Sequence, residues 1–365
     1  MTQSDEWPDT RFLELTGINL PIVQAPMAGA SGTAMAVAAC EAGALGSLPC
    51  AMLDTAAARN AIGVIRQRTA APLNLNFFCH SPPEPDATRA AGWMEHLAGY
   101  YAELGVAPSA VPAGPARAPF DDTMCELVEE TRPQVVRFHF GLPAPALLAR
   151  VKAAGAIVLS SATTVAEARW LEDRGADAII AQGYEAGGHR GVFLDVDITT
   201  QPGTFALLPQ VVDAVKLPVI AAGGIADGRG IAAAFALGAA GVQIGSAYLY
   251  TPEATISDLH RSALKQAGDD KTALTNVFSG RPARGLLNRV MREVGPMATH
   301  APAFPTAGGA LAPLKAAAEA AGSSDFSSLW AGQAAALGRE GSAGKLTVRL
   351  AQEAQARLRM LAGAS

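Results

Sequence analysis

One histidine in this chain stands where it could do chemistry. The segment AQGYEAGGHRG, residues 181–191, ends an apolar run and places His189 just after a pair of glycines. An imidazole titrates near neutral pH, so it can act as a hydrogen-bond donor or as a base. A histidine in a tight turn can also simply bond nearby backbone. The choice depends on the elements that position the residue.

Two glycine-rich segments further along the chain predict a phosphate site. They are AAGGIADGRG, residues 221–230, and GVQIGSAYL, residues 241–249. Glycine lets backbone N–H groups approach a ligand closely. Other polar and small residues also follow apolar runs, and together they offer an apolar shelf and several amides: Ala25, Pro26, Met27, Asn76, Gln182 and Gln243. A phosphate site, a shelf and amides that both donate and accept favour FMN as the cofactor.

Other reactive side chains give weaker signals. The four cysteines, Cys40, Cys50, Cys79 and Cys125, show no paired spacing, which predicts buried thiols and neither a metal site nor disulfides. Cys79 and His80 are adjacent and should point to opposite sides of a strand, which argues against a joint nucleophilic site. His139 ends an apolar run and has either a catalytic or a packing role.

Eight apolar runs predict the elements that position these residues. They are residues 21–27, 45–49, 72–78, 135–141, 156–161, 178–183, 218–224 and 242–249. Several are preceded by a helical stretch that ends in glycine, as in CEAGALGSL and VKAAGAIVL. Eight alternations of strand and helix favour a closed (β/α)8 TIM barrel of the α/β class. An open doubly wound sheet would need a G-x-G-x-x-G after the first strand, where the chain has QAPMAGASG.

Two regions of the chain are additional to the eight strand and helix units of a barrel. We expect an FMN-binding barrel over residues 1–250, with a helical insertion at about 82–120. Residues 251–329 would form a lid or substrate-binding region, and residues 330–365 would form C-terminal helices that pack back on the barrel. Within the insertion, Trp93, Tyr100 and Tyr101 are either the core of its helix or part of a lid.

Composition excludes several classes of function. The net charge of −5 has no basic block to attract nucleic acid. The N-terminal residues lack the features of a signal peptide, and glycines interrupt the most apolar window, residues 231–250. We therefore expect a cytoplasmic protein without a membrane span. The apolar composition permits a homodimer but does not require one.

The motifs quoted so far resemble those of the nitronate monooxygenase family, formerly called 2-nitropropane dioxygenases. QAPMAG, AQGYEAGGHRG, PVIAAGGIADG and VQIGSAYL carry the resemblance, and the segment around His189 is the most specific. FSGRPARGLLNR, AFPTAGGALAPL and LWAGQAAAL extend it into the last third of the chain. The resemblance implies an FMN-dependent barrel that oxidises nitronates with oxygen to a carbonyl compound and nitrite.

The resemblance also implies roles for individual residues. His189 would stand over the substrate as the catalytic residue, and no metal is implied. The implied cofactor-binding residues are Ala25, Pro26, Met27, Asn76, Gln182, Gly187, Gly224, Gln243, Ile244, Gly245 and Ser246. Many relatives have threonine in place of Ser246, and the hydroxyl is kept. If His189 is a base, its replacement by asparagine should impair neutral nitroalkanes more than preformed nitronates.

Two other functions remain open on the sequence alone. The first is an NAD(P)H-dependent FMN reductase of enoyl thioesters or quinones, because such barrels can bind nicotinamide without a Rossmann motif. The second is a barrel that binds a phosphate ligand and catalyses nothing, since a fold does not fix a function.

Overall fold

Eight parallel strands close into the barrel that the sequence predicts. We analysed a computed structural model, which describes residues 7–108, 117–195 and 197–363. The strands, in chain order, are β1 Ile22–Gln24, β2 Gly46–Pro49, β3 Leu73–Phe78, β4 Val135–His139, β5 Ile157–Ala162, β6 Ala178–Gln182, β7 Gly188–His189, β8 Val219–Ala222, β9 Gly241–Ile244, β10 Thr272–Thr275 and β11 Ala283–Leu286.

The barrel strands follow the order β1-β9-β8-β6-β5-β4-β3-β2, and each pairs in parallel with the next. The ring closes between β1 and β2, where the Leu45 N–H donates to the Ile22 carbonyl over 2.9 Å and Val23 bridges to Leu45. The TIM-barrel prediction is therefore confirmed, and the open doubly wound alternative is wrong. All eight predicted strands are present.

Helices surround this barrel and extend beyond it. They are α1 Arg11–Thr16, α2 Thr33–Glu41, α3 Thr55–Arg68, α4 Ala87–Glu103, α5 Asp122–Thr131, α6 Pro145–Ala153, α7 Val165–Asp173, α8 Thr204–Ala214, α9 Gly228–Ala236, α10 Asp258–Lys265, α11 Arg289–Val294, α12 Ala312–Ala320 and α13 Ala343–Leu361. Several begin at an aspartate cap, as where the Asp227 carboxylate accepts from the Arg229 and Gly230 N–H groups. The long α13 packs against α9 and α2 on the outside of the barrel.

The two faces of β4 show how the strands sort their side chains. Val136 and Phe138 are fully buried in the apolar layer beneath the outer helices. Arg137 and His139 alternate with them and face the barrel interior, where both line the pocket described below. The upper interior of the barrel is therefore polar, although its outer layer is apolar.

The last barrel strand is shorter than predicted. The sequence predicts a strand over residues 242–249, but β9 ends at Ile244 and Ser246–Tyr250 form a 3-10 helix. Gly245 adopts φ −111° and ψ −76°, which turns the chain out of the extended conformation. The Tyr248 N–H then donates to the Gly245 carbonyl over 2.8 Å. A period-2 pattern cannot distinguish this tight turn from continued strand.

The region after the barrel contains strands as well as helices. β10 pairs antiparallel with β11, and β11 pairs antiparallel with β7, which gives a second sheet of three short strands. The sequence analysis predicted a lid or substrate-binding region there and named no strands. This sheet joins the segment around His189 to the region that follows the barrel.

Helix α4 lies within the predicted insertion and packs on the region after the barrel. Trp93, Leu97 and Tyr101 share an apolar cluster with Val277 and Met291. Residues 109–116 of the insertion lie outside the part of the chain that the structure describes. Within that part, no helix combines the length and apolar character needed to cross a membrane.

Candidate active site

A pocket of about 1170 Å³, counted to its open mouth, lies at the carboxyl ends of the barrel strands. This is the end where barrel enzymes place their sites. Its lining comes from residues 25–30 after β1, from β3, β4, β6, β8 and β9, from β7 and the connection that leads to it, and from residues 330–334. The walls are apolar near residues 25–30 and 330–334, with amides, two arginines and two histidines between them.

Ten of the eleven predicted cofactor residues line this pocket together with His189. They are Ala25, Pro26, Met27, Asn76, Gln182, Gly187, Gly224, Gln243, Gly245 and Ser246. Ile244 does not line the pocket. Its side chain is fully buried in the main apolar core, because it alternates with Gln243 along β9.

His189 is held in place by pairing between β7 and β11. It lies opposite Ala283, and its Nε2 is 2.8 Å from the Ser279 hydroxyl oxygen. Its ring packs near the rings of Phe304 and Trp330, with centroid distances of 5.4 and 5.6 Å. Nδ1 makes no hydrogen bond with any residue in the described ranges, so it remains available to a ligand.

The surroundings of His189 keep its ring neutral. Burial, together with the smaller effect of the positive charges of Arg117 and Arg281, lowers the pKa of His189 to about 3. At neutral pH the imidazole therefore has one N–H donor and one acceptor nitrogen. A base with so low a pKa is poorly matched to removing a proton near pH 7.

Two side chains fix the backbone of His189. The Gln182 Nε2 donates to the His189 carbonyl over 3.0 Å, and its Oε1 accepts from the Gly191 N–H at 2.7 Å. His139 Nε2 lies 3.2 Å from the same carbonyl. A carbonyl only accepts, so His139 carries its proton on Nε2. Its Nδ1 faces the Ser161 hydroxyl at 3.2 Å.

These contacts give His139 a positioning role. Burial and the nearby Arg137 hold the pKa of His139 well below its usual range, so this ring is also neutral. The sequence left open a catalytic or a packing role for His139, and in the structure its ring lines the pocket and bonds the backbone of His189.

Backbone turns form the opposite end of the pocket. Gly223 and Gly224 adopt φ of 111° and 71°, a conformation that favours glycine. The Glu185 carboxylate accepts from the backbone N–H and the hydroxyl of Thr204, which ties the β6 to β7 connection to the start of α8. The Ser246 hydroxyl accepts from the Gly332 N–H at 2.8 Å. The C-terminal segment thus completes this end.

Gly187 and Gly245 differ in what surrounds them. A methyl group on Gly187 would lie 2.5 Å from the Gly332 nitrogen, so glycine is needed there for protein packing. A methyl group on Gly245 would meet only Ala25 and Met27, at 3.6 and 3.7 Å. Protein packing therefore does not explain the glycine at position 245.

The polar groups of the pocket fit a planar cofactor with a phosphate. The Gln243 Oε1 is buried and has no hydrogen-bond partner in the structure. A buried acceptor without a partner costs about 1–3 kcal/mol, which a donor group on a ligand would offset. Because Gln243 borders the turn at Gly245, the unpaired acceptor and the open turn lie at the same part of the pocket.

The pocket lining includes charged and aromatic residues that the sequence analysis did not name as candidates, among them Arg117, Arg137 and Trp330. Arg117 follows the part of the insertion that is not described, Arg137 lies inside β4, and Trp330 comes from far along the chain. An arginine inside an apolar strand is the one signal that could have been used. Trp330 lies in LWAGQAAAL, which carries the family resemblance, but nothing local places it or Arg117 at the strand ends, because only the folded chain brings them there.

The remaining sequence candidates do not form a second site. Burial raises the pKa of the Cys79 thiol well above its usual range, and neither Cys79 nor His80 lines the pocket. Trp93 and Tyr101 donate to the carbonyls of Ala307 and Ala310, so they anchor α4. Tyr100 bonds Glu293 over 2.9 Å, also away from the pocket. Among the described residues, no group of histidine, cysteine or acidic side chains could hold a metal.

Comparison with known proteins decides the family. The sequence model of nitronate monooxygenase matches residues 9–353. This chain belongs to the nitronate monooxygenase family. The resemblance inferred from the motifs is therefore confirmed, and the protein is an oxidoreductase enzyme, which excludes the alternative of a barrel without catalysis.

Relatives support this membership over nearly the whole length. A nitronate monooxygenase from Paraburkholderia phytofirmans is 42% identical over 352 residues, which cover 96% of this chain and 96% of the relative. The solved structure of nitroalkane oxidase from Streptomyces ansochromogenes is 39% identical with a TM-score of 0.87, over 96% of this chain and 99% of that chain. FabK from Thermotoga maritima is 28% identical with a TM-score of 0.74, over 98% and 99% of the two chains.

Proposed function

We propose that the enzyme binds FMN and uses oxygen to oxidise alkyl nitronates, such as propionate 3-nitronate, to a carbonyl compound and nitrite. The observation that carries the proposal is the position of His189. Its ring borders a pocket that also presents the shelf, amides and glycine turns that FMN requires. The similarity to a nitronate monooxygenase over 96% of the chain supports the same reaction class.

Different residues of the pocket would hold the flavin ring and the phosphate of FMN. Ala25, Pro26 and Met27 would pack against the flavin ring, and Asn76 would bond its edge. The turns at Gly224 and Gly245 would receive the phosphate through their backbone, and the unpaired Gln243 Oε1 would accept from a donor on another part of the cofactor, such as a ribityl hydroxyl. When bound, FMN would accept electrons from the nitronate and pass them to oxygen.

Gln182 and Ser246 would support this site more than bind the cofactor. Both polar atoms of the Gln182 amide already bond the backbone of residues 189 and 191. The Ser246 hydroxyl accepts from Gly332, although it can still donate its proton to a ligand. The resemblance assigned both residues to the cofactor, and their contacts favour a role in holding the surrounding segments.

His189 would orient a substrate that is already an anion. A neutral imidazole can donate one hydrogen bond to the nitro oxygens of a nitronate, and the nearby guanidinium groups of Arg117 and Arg281 attract its charge. With a pKa of about 3, the ring would be a weak base toward a neutral nitroalkane. We therefore expect nitronates to be much better substrates than neutral nitroalkanes.

An anaerobic titration of the purified protein tests this proposal. Propionate 3-nitronate should bleach the visible flavin absorbance rapidly, whereas NADH and NADPH should not. Bleaching by a nicotinamide alone would contradict the proposal and favour the reductase alternative.

Replacement of His189 by asparagine tests the donor role. Asparagine keeps a donor and removes the base, so the losses on nitronates and on neutral nitroalkanes should be similar. A loss confined to neutral nitroalkanes would show that His189 acts as a base after all.

A further inference from the structure

Arg137 is a buried cation to which neither the family comparison nor the cofactor roles above assign a function. It lies inside β4, only 5% of it is exposed, and it lines the pocket. Its Nη2 donates to the Ser161 hydroxyl over 2.7 Å and lies 3.5 Å from the His139 Nδ1. Its Nε is buried without any hydrogen-bond partner.

No acidic group compensates the charge of Arg137. Its bonds reach only neutral side chains, and in the described ranges no carboxylate forms an ion pair with it. Burial lowers the pKa of Arg137 to about 9, so the guanidinium still carries its charge at neutral pH. An uncompensated buried charge is destabilising, and an anion beside it offsets that cost.

The barrel places this charge beneath the part of the pocket that the flavin ring would occupy. Arg137 is the register partner of Asn76 on β3, and the Asn76 amide donates to the Arg137 carbonyl over 3.2 Å. Gln182 lies on β6, two strands away on the other side. Arg137 lies two positions before His139, which ends β4, and this places it about 7 Å deeper in the barrel.

A flavin supplies an anion at such a position only after reduction. Oxidised flavin takes up two electrons and one proton, and the product is an anion whose charge is shared by N1 and the C2 carbonyl oxygen. In the proposed reaction the nitronate supplies the electrons. Positive charge near N1 is one of the means by which a protein tunes a flavin.

We propose that Arg137 binds the anionic reduced flavin through its N1 and C2 carbonyl edge and thereby raises the reduction potential of the cofactor. The proposal rests on FMN being the cofactor, as proposed above. Arg137 then stabilises reduced FMN more than oxidised FMN, because only the reduced form carries the charge. By linkage, the ratio of the affinities for reduced and oxidised FMN determines how far binding shifts the reduction potential of the flavin.

The test is the reduction potential of the bound flavin, measured by anaerobic reductive titration against a reference dye. Arg137→Met keeps an unbranched side chain, although a shorter one, and removes the charged guanidinium, whereas Arg137→Lys keeps a charge. We expect Arg137→Met to weaken the relative binding of reduced FMN at least tenfold, which corresponds to a potential lower by about 30 mV. Arg137→Lys should recover most of this loss.

Arg59→Met is the matched control, because it removes an exposed guanidinium on α3 that pairs with Glu130 at the surface. Its potential should equal that of the unmodified enzyme. Affinity for oxidised FMN should change little in either Arg137 variant. An Arg137→Gln variant serves if the methionine variant does not fold.

Sulfite gives a second readout that does not depend on turnover. Its sulfur forms a bond to flavin N5 without an added proton, and the negative charge of the adduct occupies the same N1 and C2 carbonyl region. Sulfite affinity should therefore fall at least tenfold in Arg137→Met and recover in Arg137→Lys.

The outcomes separate this proposal from the one on function. Equal potentials and sulfite affinities in the unmodified and Arg137→Met enzymes would overturn the role of Arg137, whatever the substrate. A protein that binds no flavin would overturn both proposals. A shifted potential in an enzyme that nitronates do not reduce would support Arg137 and contradict the proposed reaction.

Discussion

Gln182 provides the sharpest test of how the site is held together. Its side chain is 5% exposed, and both of its polar atoms bond the segment that contains His189. Gln182→Met has a similar length and removes both bonds. The Gly191 N–H then loses its acceptor, while the His189 carbonyl keeps the contact with His139.

The expected cost follows from these contacts. The buried Gly191 N–H without an acceptor destabilises the fold by about 1–3 kcal/mol. The His189 carbonyl adds less to this cost, because His139 still donates to it. The free energy of unfolding should therefore fall by about 1–3 kcal/mol, measured by urea titration with and without saturating FMN. The slope against urea should not change, since the exposed surface on unfolding is the same.

A matched variant and a clear alternative make the test decisive. Gln210→Met removes an exposed amide that bonds Ala206 within α8, and it should change the unfolding free energy by less than about 0.5 kcal/mol. The reasoning is wrong if Gln182→Met is equally stable without FMN and differs only when FMN is present. Gln182 would then act through the cofactor, as the resemblance alone implies.

Three further predictions concern the turns, the histidines and the insertion. Gly245→Ala should leave thermal stability unchanged and weaken FMN binding, whereas Gly332→Ala should lower stability, because its methyl would lie 2.7 Å from a backbone oxygen. Acid should weaken the fold, because the pKa values of His189 and His260 are lowered to about 3 and 4. Unfolded chains then bind more protons below pH 6.5, so each histidine contributes up to about 1.4 kcal/mol per pH unit of lost stability. Tyr101→Phe should cost about 1 kcal/mol in urea unfolding, because its buried hydroxyl donates over 2.6 Å.

Each of these predictions has a result that would contradict it. Normal FMN affinity in Gly245→Ala would mean that the ligand does not approach this turn. A free energy of unfolding that stays constant from pH 7 to pH 5 would contradict neutral buried histidines. If the histidines are neutral in the fold, His260→Gln should reduce the slope of stability against pH. An unchanged Tyr101→Phe variant would show that α4 is not held by this bond.

The sequence by itself determined the barrel and most of its rim. Glycines that end helices and the apolar runs that follow them are local signals, so all eight strands could be predicted within a few residues. Because parallel strands align their carboxyl ends, ten of the residues that the strand ends and the family resemblance suggested for the cofactor lie at one pocket together with His189. The side chain of Ile244 faces the apolar core, because side chains alternate along β9, so any contact that it makes with a cofactor stays a prediction.

Only the tertiary structure decided how the site is completed and charged. The pairing of β7 with β11, and the closure of the pocket by residues 330–334, depend on contacts between segments far apart in the chain. The neutral state of His189 and the uncompensated charge of Arg137 arise from burial. Burial is a property of the packed fold, so no local pattern in the sequence reports it.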